Sequence, residues 1–160
     1  MNALCHDRLV TYFARYQEPD SGFVTVAGRD DGLRQIVLAA GQLGADEGGP
    51  VHLHHGEEIL RILSGEVDVM VASERRRCSA GDVVIIPADT LHGFTTLTET
   101  TMEVVAELDA GQIFPVEAEG GTTRLVEVYR SDLPWSRQPP PGYDWTSDSD
   151  MADILDRAPD

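Results

Sequence analysis

The chain has 160 residues, enough for one domain with a proper core, and its 41% hydrophobic content and mean hydropathy of -0.21 are ordinary for a soluble globular protein. A formal charge of -16 leaves no positive stripe for a phosphate backbone and argues against nucleic-acid binding. No apolar run reaches the ~18–20 residues of a membrane helix.

The opening stretch, Met1 to Arg8, lacks the basic start and apolar run of a signal peptide. Cys5 and Cys78 suggest no disulfide framework, so a cytoplasmic location is expected by default. Leu9, Tyr12, Phe13 and Tyr16 recur at helical spacing and predict a short amphipathic helix, ended by Pro19 and Gly22. Residues 1–22 are thus read as an N-terminal helical segment.

From Phe23 onward the pattern is strand after strand. Expected strands are Phe23–Ala27, Leu33–Ala40, Val51–His55, Glu58–Leu63, Glu66–Ala72, Val83–Ile86, His92–Thr96, Met102–Leu108, Gln112–Val116 and Thr123–Tyr129. The glycine-rich stretch Gly41–Pro50 lacks the Lys-Ser/Thr ending of a phosphate loop and reads as a connector. Ser64-Gly65 between two of the runs looks like a hairpin turn. Arg75-Arg76-Arg77 reads as a solvated loop or strand edge rather than a ligand site. Many short strands indicate an all-β sandwich or barrel over residues 23–132, with a double-sheet jelly roll as the natural solution.

The tail, residues 133–160, changes character. Pro134, Pro139, Pro140 and Pro141 favour an extended chain, and Asp144–Asp160 holds six Asp and one Arg, a composition poor at burying itself. Partial disorder is expected there, with Trp135 and Tyr143 docked on the barrel or on a neighbouring subunit.

The most informative feature is a histidine cluster. Three of the five histidines lie within Val51–His55. Residues two apart on a strand share a face, so His52 and His54 would present two imidazoles together, with Glu58 at the same parity. Two nitrogen donors and a carboxylate oxygen suit a divalent first-row metal. The parity of Glu58 also sets Leu60 and Ile62 inward and Arg61 outward. His55 has the opposite parity and is not expected to be a ligand. Histidine ligands usually donate their second ring N–H to a carboxylate or carbonyl; Asp46, Glu57, Glu103 and Glu107 are available for this.

Written out, His52-x-His54-x3-Glu58-x6-Gly65 resembles the first motif of the cupin superfamily, and Gly81-x5-Pro87-x-Asp89-x2-His92-x3-Thr96 approximates the second. The likeness covers about half the chain. It departs at Asp46, where a Gly usually stands, at Asp89, also usually Gly, and at Thr96, usually Asn. Asp tolerates the left-handed backbone better than most residues, so turn geometry is at stake there more than the metal site. The resemblance implies a double-stranded β-helix (jelly-roll) barrel. It implies one divalent transition metal per chain (Fe, Mn, Ni, Zn or Cu) held by His52, His54, Glu58 and His92, and a homodimer. It also implies a small-molecule substrate and an enzyme of dioxygenase, isomerase, lyase or cyclase type. The alternatives are a non-catalytic small-ligand binding or sensor protein and, third, a barrel whose metal is only structural.

Overall fold

A computed structural model describes residue 16 and residues 19–108, 111–118 and 122–128. The expected N-terminal helix and the Pro/Asp-rich tail lie outside the described residues. No helix among those described is long and apolar enough to cross a membrane.

The described chain is all strand apart from turns and one 3-10 turn at Arg29–Asp31. The strands are β1 (Gly22–Ala27), β2 (Ile36–Leu43), β3 (Gly48–His52), β4 (Glu58–Ser64), β5 (Glu66–Val71), β6 (Glu74–Ser79), β7 (Val83–Ile86), β8 (His92–Thr96), β9 (Thr100–Glu107), β10 (Gln112–Ala118) and β11 (Thr122–Val128). They form a five-stranded sheet in the order β1-β2-β9-β4-β7, a four-stranded sheet in the order β3-β8-β5-β6, and the hairpin β10-β11. An antiparallel bridge from Leu53 to Ile113, with N···O distances of 2.9 and 2.7 Å, attaches β10 beyond the end of β3.

The connectivity fits a jelly roll. The ladders of the described residues join no strand of the five-stranded sheet to the four-stranded one. The observed architecture is therefore two sheets face to face, without the ladder that would close a barrel.

Alternation along each strand makes the core. On β4, Leu60 and Ile62 are buried while Arg61 is exposed, as parity predicts. They pack with Val37, Ala39, Ile86, Val104 and Ala106, and with Val67, Val69, Cys78 and Met102, between the sheets. Each fully buried Leu, Ile or Val contributes about 1.5–3 kcal/mol relative to exposure.

Two expectations need correction. Ser64-Gly65 is not a hairpin turn: β4 pairs with β7 and β9, whereas β5 pairs with β6 and β8. Gly65, at φ 82°, turns the chain from one sheet into the other, and a Cβ there would fall 2.3 Å from the Glu99 carbonyl oxygen. A tight glycine turn is required by a corner as much as by a hairpin. Second, Gly41–Pro50 is not all connector, because β2 runs to Leu43 and β3 begins at Gly48. Arg75-Arg76-Arg77, expected in a solvated loop or strand edge, sits on β6, the edge of the four-stranded sheet, where Arg75 pairs with Asp68 at 2.7 Å. Charged residues are a common guard on such an edge.

The departures at Asp46, Asp89 and Thr96 are accommodated locally. Asp46 and Asp89 adopt φ of 61° and 59°, the left-handed region that favours glycine. Thr96 is fully buried. Its hydroxyl lies 2.5 Å from the Gly44 carbonyl and 2.8 Å from that of Glu47, and it accepts the Glu47 N–H at 3.0 Å.

Candidate metal centre

Three imidazoles converge where the two sheets approach, and the Glu58 carboxylate meets one of them, His54. His52 ends β3, His54 lies in the loop after it, and His92 begins β8, all in or beside the four-stranded sheet. Glu58 begins β4 in the opposite sheet. The strand expected at Glu58–Leu63 does begin at Glu58, but it lies in the sheet facing β3 rather than continuing it. The chain leaves β3, turns through His55 and Gly56, and returns on the facing sheet with the carboxylate directed back.

The three histidines are 8%, 4% and 3% exposed, so solvent does not account for their polarity. One ligand atom from each lies within 4.8 Å of the others. Ring centroids stand 4.4 Å apart for His52 and His92, 4.8 Å for His54 and His92, and 5.7 Å for His52 and His54.

Hydrogen bonds orient the rings. Nδ1 of His52 is 2.6 Å from the Pro50 carbonyl, Nδ1 of His54 is 2.5 Å from that of Gly56, and Nδ1 of His92 is 2.8 Å from that of Thr90. A carbonyl only accepts, so each Nδ1 carries the proton and each Nε2 faces inward as a lone pair or a second N–H. The orienting partners are thus backbone carbonyls. The candidate carboxylates are elsewhere engaged in one case, Glu103 facing Arg61 at 3.5 Å on the outside.

Nε2 of His54 stands 2.9 Å from Oε2 of Glu58. With acceptors at both nitrogens, a metal-free His54 is satisfied only by holding two protons. Burial alone lowers its pKa, but the hydrogen bond and charge of Glu58, with help from the Gly56 carbonyl, outweigh burial, and the net shift is upward. His92 moves the other way. Burial dominates, and a proton is disfavoured despite the pull of Glu58 and the Thr90 carbonyl. Its Nε2 is buried and has no hydrogen-bond partner among the described residues. A buried, neutral, unpartnered nitrogen beside a carboxylate is a poor arrangement for a core and a good one for a cation. The donor set fits a divalent transition metal.

His55 is not part of the cluster. It is exposed, and its Nδ1 lies 2.5 Å from Asp89, linking the two turns that carry His54 and His92.

One polar residue was not anticipated. Gln112, at the start of β10, is 8% exposed and places Nε2 3.2 Å from Nε2 of His52; its Oε1 is buried without a hydrogen-bond partner among the described residues. Phe114, two residues on, brings its ring within 5.8 Å of the His52 ring. Ile113 between them is also buried, so alternation along β10 does not mark which face meets the site.

The cluster borders a cavity of about 190 Å³. Phe23, Leu43, Leu60, Phe94 and Val104 form its apolar wall, and His52, Glu58 and Gln112 its polar one. No Lys or Arg lines it among the described residues.

Comparison with known proteins agrees with this architecture. Residues 36–110 match the Cupin domain family. No curated relative matches the sequence. A protein assigned as a sugar phosphate isomerase from Acidithiobacillus ferrooxidans superposes with a TM-score of 0.50 at 21% identity, over 68% of this chain and 80% of that one. An RmlC-like cupin from Shewanella frigidimarina gives 0.50 at 18% identity, over 56% and 80%. A cupin superfamily protein from Desulfitobacterium hafniense gives 0.50 at 16% identity, over 59% and 84%. At these identities the likeness is one of fold.

Proposed function

Taking as premise that the chain belongs to the cupin superfamily, we propose that it is a metal-dependent enzyme acting on a small organic molecule, with His52, His54, Glu58 and His92 holding one divalent transition ion. The observation that carries this reading is the orphaned Nε2 of His92, buried within reach of two further imidazoles, one of which, His54, meets the Glu58 carboxylate. Three nitrogens and one oxygen leave open coordination positions on a six-coordinate ion. Fe, Mn, Ni, Zn and Cu all accept such a set.

When bound, the metal would supply Lewis acidity toward a coordinated oxygen. The chain's own residues do the rest. The carbonyls of Pro50, Gly56 and Thr90 hold each imidazole in the Nδ1–H tautomer. Glu58 lowers the net charge at the ion. The apolar wall of Phe23, Leu43 and Phe94 limits water and fits a ligand that is partly apolar. Dioxygenation, isomerisation, elimination and ring closure are all compatible with such a centre.

The test is elemental analysis of protein purified without added metal. One equivalent of transition metal per chain is expected, and none in His54→Ala. Small carboxylates and diketones are then screened for turnover. Metal content that is unchanged in His54→Ala, or full turnover by thoroughly stripped protein, would refute the reading. Tight ligand binding without any product would favour a sensor instead.

A further inference from the structure

We propose that the side-chain amide of Gln112 orients the ligand, and that this ligand is a small unphosphorylated molecule of about one ring's bulk, apolar over most of its surface and carrying a hydroxyl beside a carbonyl. The proposal rests on the metal centre described above and deepens it.

Gln112 is more than nine-tenths buried, yet its amide is only half used. Oε1 has no partner among the described residues, and Nε2 donates to Nε2 of His52 at 3.2 Å. That imidazole lone pair is the one a metal would take. With the ion in place, both ends of the amide are left without partners in a buried setting. Buried amides are costly to leave so, and a polar group that a fold keeps unpaired usually awaits a partner. The backbone here is not loose: the two-way bridge between Leu53 and Ile113 fixes β10 against the end of β3.

The amide presents one donor and one acceptor side by side. A carboxylate would use the donor and leave Oε1 unpaired. A hydroxyl next to a carbonyl uses both, the hydroxyl keeping its proton and donating it to Oε1 while the carbonyl accepts from Nε2, and the carbonyl oxygen also suits an open position of a metal. Size follows from the cavity of about 190 Å³, little more than the ~150 Å³ that holds a benzene. Charge follows from its walls. They contain no Lys or Arg among the described residues and they include the Glu58 carboxylate, so a phosphate dianion would find no cationic side chain to pair with beside the ion.

The test uses the full chain loaded with cobalt and read through the visible bands of the ion. Maltol, a single ring with a hydroxyl beside a ketone, is titrated alongside pyridine-2-carboxylate and dihydroxyacetone phosphate. In Gln112→Leu, cobalt should remain at one per chain with an unchanged ligand-free spectrum. Maltol should bind about tenfold more weakly, the loss expected of a hydrogen-bonding partner. Pyridine-2-carboxylate should change by less than about twofold, because it uses little of the amide. Gln112→Met, close in length and volume, should repeat the pattern should the leucine variant fold poorly. Unaltered maltol affinity in both variants, loss of cobalt from them, or wild-type protein that prefers the phosphate ester to maltol would each overturn the proposal. Wild-type protein that takes up no cobalt would overturn the metal centre itself, which separates the two failures.

Discussion

Oε2 of Glu58 and Nε2 of His54 meet at 2.9 Å from opposite sheets, the one at the start of β4 and the other in the loop after β3. The contact is a proton-holding pair in the metal-free protein, and the position between the two atoms is one a cation can take over. Replacing Glu58 by Gln keeps shape and removes charge. Metal affinity should fall by roughly 10–100-fold or more, measured by competition with a chromophoric chelator. His55→Ala should leave affinity unchanged, since that ring is exposed and faces Asp89. Equal affinity in wild type and Glu58→Gln would remove the carboxylate from the ligand set.

The same cluster predicts how stability of the metal-free protein depends on pH. His92 has its folded pKa pushed below the ordinary 6.5 by burial, so on acidification the unfolded chain takes up a proton that the folded one resists. Its contribution is present above 6.5 and is lost as pH falls toward the folded value. His54 behaves oppositely: burial lowers its pKa, the Glu58 contact outweighs that, and the folded value lies above 6.5. Its contribution is full below 6.5 and is lost as pH rises through the folded pKa. Thermal melts of stripped protein should therefore peak near pH 6–7 as far as these two groups are concerned. His92→Asn should flatten the acid side and Glu58→Gln the alkaline side. Identical profiles for all three proteins would rule out the assignment.

The three imidazoles that cluster were legible from sequence because their spacing is chemical information: two of them two apart, and a third beyond a Gly-to-Pro stretch, with the Glu58 carboxylate against His54. The geometry behind that spacing was not. A break at Gly56 was visible between the two expected strands, but the change of sheet across it, which delivers Glu58 from the opposite side, was not. Gly65 misled for a related reason, since a left-handed glycine serves a hairpin and a corner alike. β6 was hard to read because an edge strand buries little; among Glu74–Ser79 only Cys78 is buried, so there is little apolar alternation to see. Gln112 gave no signal, because a lone glutamine at a strand start acquires meaning only when β10 is laid beside β3.

Thr96 offers a test of the turn that precedes β3. Its hydroxyl accepts the Glu47 N–H and has one proton to give to either the Gly44 or the Glu47 carbonyl, from a fully buried position. Thr96→Val keeps the volume and deletes the hydroxyl, leaving the Glu47 N–H and the Gly44 carbonyl without that partner, while the Glu47 carbonyl keeps the Thr96 N–H at 2.7 Å. The cost should be about 1–3 kcal/mol by urea denaturation. The slope of the transition should stay the same, because the surface exposed on unfolding is unchanged. A loss below about 0.5 kcal/mol would show that water or the loop itself satisfies these groups equally well.

The outer face of the five-stranded sheet supplies the last prediction. Register places Ile85 opposite Ile59, Ile59 opposite Val105, and Val105 opposite Leu38, so four apolar residues form one row across β7, β4, β9 and β2. Ile85 is 70% exposed and Ile59 41%, and Ile36, two residues before Leu38 on the same face, is 44% exposed. A continuous apolar row on an exposed sheet is unusual for a monomer, while scattered single residues are not. A second copy of the chain is the expected cover, because a twofold pairing sets the row against itself and buries like against like. Sedimentation should find a homodimer for the wild-type protein. Ile59→Glu, which puts a carboxylate at the middle of the row on each copy, should yield a folded monomer that keeps its metal. A wild-type monomer at tens of micromolar, or a glutamate variant that dimerises equally well, would exclude this face as the interface.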